Sequence, residues 1–209
     1  MNIFDAIIQG TIQGLTEFLP VSSSGHLVII QHILGVSENN LFFDVMLHIG
    51  TLLAVFAFYR KKIFKLIIAF FQMVNDVIQG KFRLRKLSGD KNFVFMIIVG
   101  LFPLLLMFLP VAPGAMDVKE FAESLSSGKF VIIPGISLLI TGFLLYVGTK
   151  MEKRNAQIEL EGKLKLGKNA KKPINIYDAM WIGLAQFFAA VFPGLSRSGS
   201  TLSVGMIRG

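Results

Sequence analysis

Apolar residues dominate three long stretches of this chain, Leu41–Tyr59, Phe93–Val111 and Phe130–Gly148. Each is close to the roughly 20 residues a helix needs to cross a bilayer. None alternates apolar with polar positions, which disfavours lipid-facing strands. Pro103 lies inside the second stretch and predicts a kink there. Gly135 and Gly142 in the third predict close contact with another helix. Between the first two, Lys61–Gln79 reads as amphipathic, its polar side carrying Lys65, Gln72, Asn75, Asp76 and Gln79; a place in the interface is favoured over a tilted span.

The N-terminal segment has a different pattern. Ile3–Leu19 reads as a helix, but Gln9, Gln13 and Glu17 recur every fourth residue and so line one face. Pro20 ends or kinks it. Ser22–Gly25 reads as a non-helical turn, followed by a short apolar helix, His26–Leu34, closed by Gly35 as a C-terminal cap. That half-helix is too short to span a membrane. A helix, a polar break and a half-helix make the pattern of a re-entrant hairpin, whose irregular backbone is tolerated at membrane depth only where protein or a water-filled cavity satisfies it.

Composition fixes the class. The chain is 53% hydrophobic and 16% charged, where a soluble domain carries about a quarter charged residues, and its mean hydropathy is +0.64. The reading is an all-α, polytopic helical membrane protein forming one domain over residues 1–209. The net charge of +8 sits largely in residues 60–92 and in the linker Lys150–Lys172. It is read as positive-inside charge rather than as a nucleic-acid surface, so no nucleic-acid partner is expected. Those two segments are then cytoplasmic, the segment 112–129 is outside, and the N-terminal hairpin enters and leaves from the outer face. Asp44 and His48, on one face near the start of the first span, are expected near the outer interface rather than in a site. With no cysteine there is no disulfide or thiolate metal site. Asp5, not a basic run, precedes the first apolar stretch, so a cleaved signal peptide is not expected.

The C-terminal stretch repeats the N-terminal one. Asp5, Ala6, Gly10, Gln13 and Pro20 match Asp178, Ala179, Gly183, Gln186 and Pro193 at an offset of 173. After one inserted residue, Ser22, Ser24, Gly25 and Gly35 match Ser196, Ser198, Gly199 and Gly209 at an offset of 174. Repeat 1 covers about 1–92 with its hairpin at 3–35, and repeat 2 begins near 175 with its hairpin at 176–209. Three spans separate the hairpins, so they enter from opposite sides. Such inverted repeats place a site at the midplane between broken helices.

The two turns differ in chemistry. The first supplies Glu17 and His26; the second has Ala190 opposite Glu17 and adds Arg197. Arginine, the hydroxyls of Ser22, Ser23, Ser24, Ser196, Ser198, Ser200 and Thr201, and backbone N–H groups at two half-helix starts form an anion site suited to phosphate oxygens. A nearby carboxylate points to a divalent cation bridging carboxylate and phosphate. A Ser or His within reach points to a nucleophile or an acid/base group. The bland alternatives are a structural Glu17–Arg197 ion pair, and Ser22–Ser24 and His26 serving only as helix caps. From another functional class, a carrier for an anionic lipid would use the same inverted repeat but would need no nucleophile.

Glu17-Phe18-Leu19-Pro20-Val21-Ser22-Ser23-Ser24-Gly25-His26, with Gln13 four residues earlier, resembles the Glu/Gln-x-x-x-Glu motif and Ser-rich turn of the bacterial undecaprenyl-diphosphate phosphatases, the bacitracin-resistance family. Pro193-Gly194-Leu195-Ser196-Arg197-Ser198-Gly199-Ser200-Thr201 is similar to that family's second signature, Pro-Gly-x-Ser-Arg-Ser-x-x-Thr. The resemblance implies a plasma-membrane enzyme that removes the terminal phosphate of undecaprenyl diphosphate, regenerating the carrier lipid of peptidoglycan synthesis, with Mg2+ or Ca2+ in support and the site opening to the outer face. It implies Gln13 and Glu17 at the metal or diphosphate, Ser23 as nucleophile candidate, and His26 as acid/base or alternative nucleophile. Ser196, Arg197, Ser198 and Thr201 would hold the diphosphate, with Ser22 and Ser24 beside them. A homodimer stays open. Gln13 in place of Glu leaves fewer charges for the metal. Family members continue past the second half-helix, so the expectation is a truncated chain that lacks the mirror of span Leu41–Tyr59, with its activity in doubt.

Overall fold

The computed structural model describes residues 2–36, 41–84, 87, 89–110, 117–120, 122, 132–166, 174–192 and 194–208. In order, the principal elements are α1 (Ile3–Phe18), α2 (Ser23–Leu34), α3 (Leu41–Ile78), α4 (Gly89–Leu101), a 3₁₀ segment (Phe102–Phe108), α5 (Ile132–Leu166), α6 (Ile176–Val191) and α7 (Arg197–Arg208). Among the described residues there is no strand, only an isolated bridge between Pro110 and Asp117.

The two ends of the chain form matched helix pairs. α1 and α6 each have 16 residues, α2 and α7 each have 12. At 1.5 Å per residue these are about 24 Å and about 18 Å long. α1 and α6 start in the same way. The Asn2 side chain accepts from Asp5 N at 2.8 Å while the Asp5 carboxylate accepts from Asn2 N; Asn175 and Asp178 repeat the exchange at 3.0 and 3.1 Å. Asn2 and Asn175 share the offset of 173, an equivalence that reading for apolar pattern passed over. The pairings of Pro20 with Pro193 and of Gly35 with Gly209 lie outside the described residues.

Three expectations need correction. α2 begins at Ser23 rather than His26, because Ser22 Oγ accepts from Gly25 N at 3.2 Å and caps the helix three residues earlier. The first span and the amphipathic segment after it are one helix, α3, of 38 residues and about 57 Å. Arg60, Lys61, Lys62 and Lys65 are good helix formers, and no Pro or Gly falls between Thr51 and Ile78. Likewise α5 continues for 35 residues through most of the expected flexible linker. Residues 150–166 are rich in Lys, Glu, Gln, Ala and Leu, all favourable in helices, and residues 167–173 lie outside the described set.

Pro103 does end the α-helical part of α4. It has no N–H for the Val99 carbonyl, and the chain tightens into the 3₁₀ segment. The close helix approaches fall elsewhere than at Gly135 and Gly142, which have open space beside them. A Cβ on Gly183 of α6 would strike the Gly100 carbonyl and lie 2.9 Å from Pro103 Cδ, and one on Gly148 of α5 would lie 3.0 Å from Ser203 Cα of α7.

Two helices, Phe42–Ile78 and Gly89–Phe108, are long and apolar enough to cross a membrane, and their apolar windows are only 6% and 11% buried. The core helix of a soluble protein would be covered; here Phe58, Phe64, Phe102 and Phe108 stand exposed. The described residues are all-helical, with the exposed apolar surface of a membrane protein. α3 is fixed to α4 by Ala69, Met73 and Val94, with Leu66, Phe82 and Phe95 around them. α1 packs on α2 and α3, α2 on α5, and both α5 and α6 on α7. This order brings the break between α1 and α2 against the start of α7.

Candidate active site

The first break is built by the proline and by one strained serine. Leu19, before Pro20, is extended at φ −92° and ψ 140°. Ser22 turns the chain back at φ 66°, the one non-glycine residue with positive φ among the described residues. A left-handed serine costs on the order of 1–3 kcal/mol. The Ser22 carbonyl then accepts both the backbone N–H of His26 at 3.2 Å and its ring Nδ1 at 2.8 Å. A carbonyl can only accept, so Nδ1 carries the proton and Nε2 of the neutral ring keeps its lone pair. Ser23, the first residue of α2, donates from Oγ to Glu17 Oε2 at 2.5 Å. Gln13 Nε2, buried one turn back on α1, donates to the same oxygen at 2.9 Å.

The second break is longer by one residue, and a glycine takes the left-handed position: Gly194 at φ 81°. Ser196 is then free to cap. Its N–H donates to Thr141 Oγ1 of α5 at 3.1 Å, and its Oγ accepts from Gly199 N at 3.0 Å. The breaks meet at Gly199, where a Cβ would come within 2.5 Å of the Pro20 carbonyl oxygen. Glu17, Ser23 and His26 therefore share one region with the start of α7.

The residues expected to hold a diphosphate divide into two groups. Ser22 and Ser196 are buried N-caps with their hydroxyls already engaged. Ser24, Arg197 and Ser198 are exposed, and the Arg197 guanidinium has no partner among the described residues. Ser24 and Ser198 contact their caps at 3.4 and 3.2 Å. Thr201 directs its hydroxyl to the Arg197 and Ser198 carbonyls. The Glu17–Arg197 ion pair does not form.

Of two residues discounted on sequence, His48 approaches the cluster and Asp44 bonds Gln31 of α2. His48 Nε2 lies 4.0 Å from Glu17 Oε2. Asp44 Oδ1 accepts from Gln31 Nε2 of α2 at 2.9 Å. Their spacing of one helical turn was visible, but the start of a span was read as an interface position. In the structure it packs against α1.

The model of the family described as Bacitracin resistance protein BacA matches residues 6–209. The chain belongs to this family. This BacA-family chain is 37% identical over 210 residues to an undecaprenyl-diphosphatase of Methanobrevibacter smithii, covering 100% of the chain and 68% of that protein. It is 39% identical over 210 residues to an undecaprenyl-diphosphatase of Alkaliphilus metalliredigens, with the same coverage. It is 38% identical over 208 residues to undecaprenyl-diphosphatase 4 of Bacillus thuringiensis, covering 64% of that protein.

In this BacA-family site the donor set suits a hard cation shared with a phosphate. Gln13 Oε1 is buried without a hydrogen-bond partner, beside the Glu17 carboxylate. Among the described residues no three His, Asp or Glu side chains cluster as a self-sufficient metal site. One carboxylate and one amide oxygen fit a Mg2+-type ion that takes its remaining ligands from water and phosphate.

Proposed function

We propose that this chain hydrolyses undecaprenyl diphosphate to undecaprenyl phosphate and inorganic phosphate, recycling the carrier lipid of the cell wall and so conferring bacitracin resistance. The observation that carries the reading is the Ser23 hydroxyl donating to the Glu17 carboxylate at the first turn of a helix. Ser23 Oγ attacks the terminal phosphorus as its proton passes to Glu17, and the bridging P–O bond breaks, releasing undecaprenyl phosphate. A water then displaces phosphate from Ser23, with His26 Nε2 taking the water's proton and Glu17 returning its proton to Ser23 Oγ, which restores the hydroxyl and the carboxylate. The unengaged backbone N–H groups at the starts of α2 and α7, with Arg197, hold the phosphate oxygens and the charge that grows on them. A divalent cation, Mg2+ or Ca2+, held by Glu17 and Gln13 Oε1 would neutralise diphosphate charge.

In our reading the helix pairs α1–α2 and α6–α7 are re-entrant hairpins of an inverted-topology repeat in the plasma membrane. The basic cluster at Arg60 marks the cytoplasmic boundary. Counting back along α3, His48 lies about 18 Å and Leu41 about 28 Å from it. This depth supports a Glu17 inside the hydrocarbon layer, nearer the outer face, in a site that opens outward. A lipid carrier would need the phosphate grip but not a hydroxyl aimed at a carboxylate, which favours hydrolysis over transport.

The test is phosphate release from a C15 or C55 prenyl diphosphate by the purified protein in detergent with Mg2+. Release that is absent in the wild-type protein, or undiminished in Arg197→Ala, would sink the reading.

A further inference from the structure

Behind Glu17 runs a buried polar chain for which the catalytic scheme has no use. Gln31 is 3% exposed, and its Nε2 donates both to Gln9 Oε1 at 3.1 Å and to Asp44 Oδ1 at 2.9 Å. Gln9, fully buried, donates in turn to the Asp5 carbonyl of its own helix. Three helices, α1, α2 and α3, are therefore joined by one amide. Burying two amides is costly unless each is matched, and Asp44, only partly buried, supplies the acceptor that ties α3 to the hairpin. The residue one turn beyond Asp44 is His48. Its Nδ1 donates to the Asp44 carbonyl at 2.8 Å, which turns the opposite edge of the ring toward Glu17.

We propose that His48 is a positioning residue for Glu17, and that the Gln9–Gln31–Asp44 brace is what holds it there. Glu17 has three rotatable bonds, and only one of its oxygens is held, by Gln13 and Ser23. Its side chain is 33% exposed, so a swing away from Ser23 is open to it. His48 Nε2 stands 4.0 Å from the held oxygen, and the proposed role is to limit that swing. The role is steric and orientational, so it needs a side chain of this reach at residue 48 and an α3 that cannot slide. It also makes α3, outside both signature motifs, part of what aligns the reacting hydroxyl.

The inference rests on the phosphatase reading, and the experiment separates the two. Wild-type protein and Ser23→Ala establish whether prenyl diphosphate is hydrolysed at Ser23; only then do the His48 and Gln31 variants report on the brace. His48→Leu, at a half-exposed position, is expected to keep the melting temperature and to lower kcat by about tenfold or more at unchanged KM, the scale of a misplaced reacting group. His48→Gln, similar in reach, should recover most of that loss. Gln31→Met cuts both brace bonds and should repeat the His48→Leu defect, while the double variant falls no further than either single one. A kcat within about twofold of wild type for His48→Leu, a His48→Gln as slow as His48→Leu, a defect in KM alone, or losses that multiply in the double variant would each overturn the proposal. Should Gln31→Met not fold, Asp44→Asn, which keeps the acceptor for Gln31, is expected to retain wild-type kcat, and its loss would overturn the brace.

Discussion

The Pro20 carbonyl oxygen lies where a β-carbon on Gly199 would have to be, 2.5 Å from that ideal position. Two segments more than 170 residues apart thus touch backbone to backbone, next to Ser22 on one side and Arg197 on the other.

Gly199→Ala should therefore push the two breaks apart. Overpacking of this kind costs about 1–3 kcal/mol. The expected result is a lower melting temperature together with at least about a tenfold loss of phosphate release, because the hydroxyl and the phosphate grip come from opposite sides of the contact. Normal release by a normally melting Gly199→Ala protein would show that the contact does not align the site.

Ser23→Ala should remove the nucleophile and leave the fold intact, since Ser22, not Ser23, caps α2. Phosphate release is expected to fall by about a hundredfold or more. Glu17→Gln should do the same. Acid quench with labelled substrate should trap phosphoserine at residue 23 in the wild-type protein and none in Ser23→Ala.

Ser22 has two duties, a cap and a left-handed backbone. Ser22→Ala loses the cap and keeps the strain, and should lower stability by about 1–2 kcal/mol. Ser22→Asn can both cap and adopt positive φ, so its melting temperature should stay near wild type. A thermal shift assay in detergent distinguishes them; equal melting temperatures for the two variants would contradict the assignment.

Chelation should abolish activity, and added Mg2+ should restore it. Gln13→Glu adds a second carboxylate beside the first, so half-maximal activation should shift to a lower Mg2+ concentration by about tenfold. A magnesium titration of both proteins reads this directly.

Much of this was legible in the chain. The period-four polar stripe placed Gln9, Gln13 and Glu17 on one helical face, and the structure buries the first two there. Pro20, Pro103 and Gly35 ended their elements as their missing N–H or free φ dictates. What failed was the assumption that charge ends a helix. Arg60–Lys65 and Lys150–Arg154 change the solvent preference of α3 and α5, not their backbone, so both helices run on. Helix starts were misjudged where a side chain, Ser22, supplies the cap. The approach of His48 to Glu17 and the bond from Gln31 to Asp44 depend on which helix packs against α3, and no local pattern encodes that.

The matched helix pairs have a consequence for the surrounding lipid. Helices of about 24 Å and about 18 Å cannot reach across roughly 30 Å of hydrocarbon. With the pairs re-entrant, as we propose, the acyl chains beside them splay or the bilayer thins, at some fraction of a kcal/mol per Å of mismatch. Turnover should then depend on the bilayer as well as on the protein. In vesicles of graded acyl length, phosphate release should be faster in shorter-chain lipids and slower in longer-chain ones.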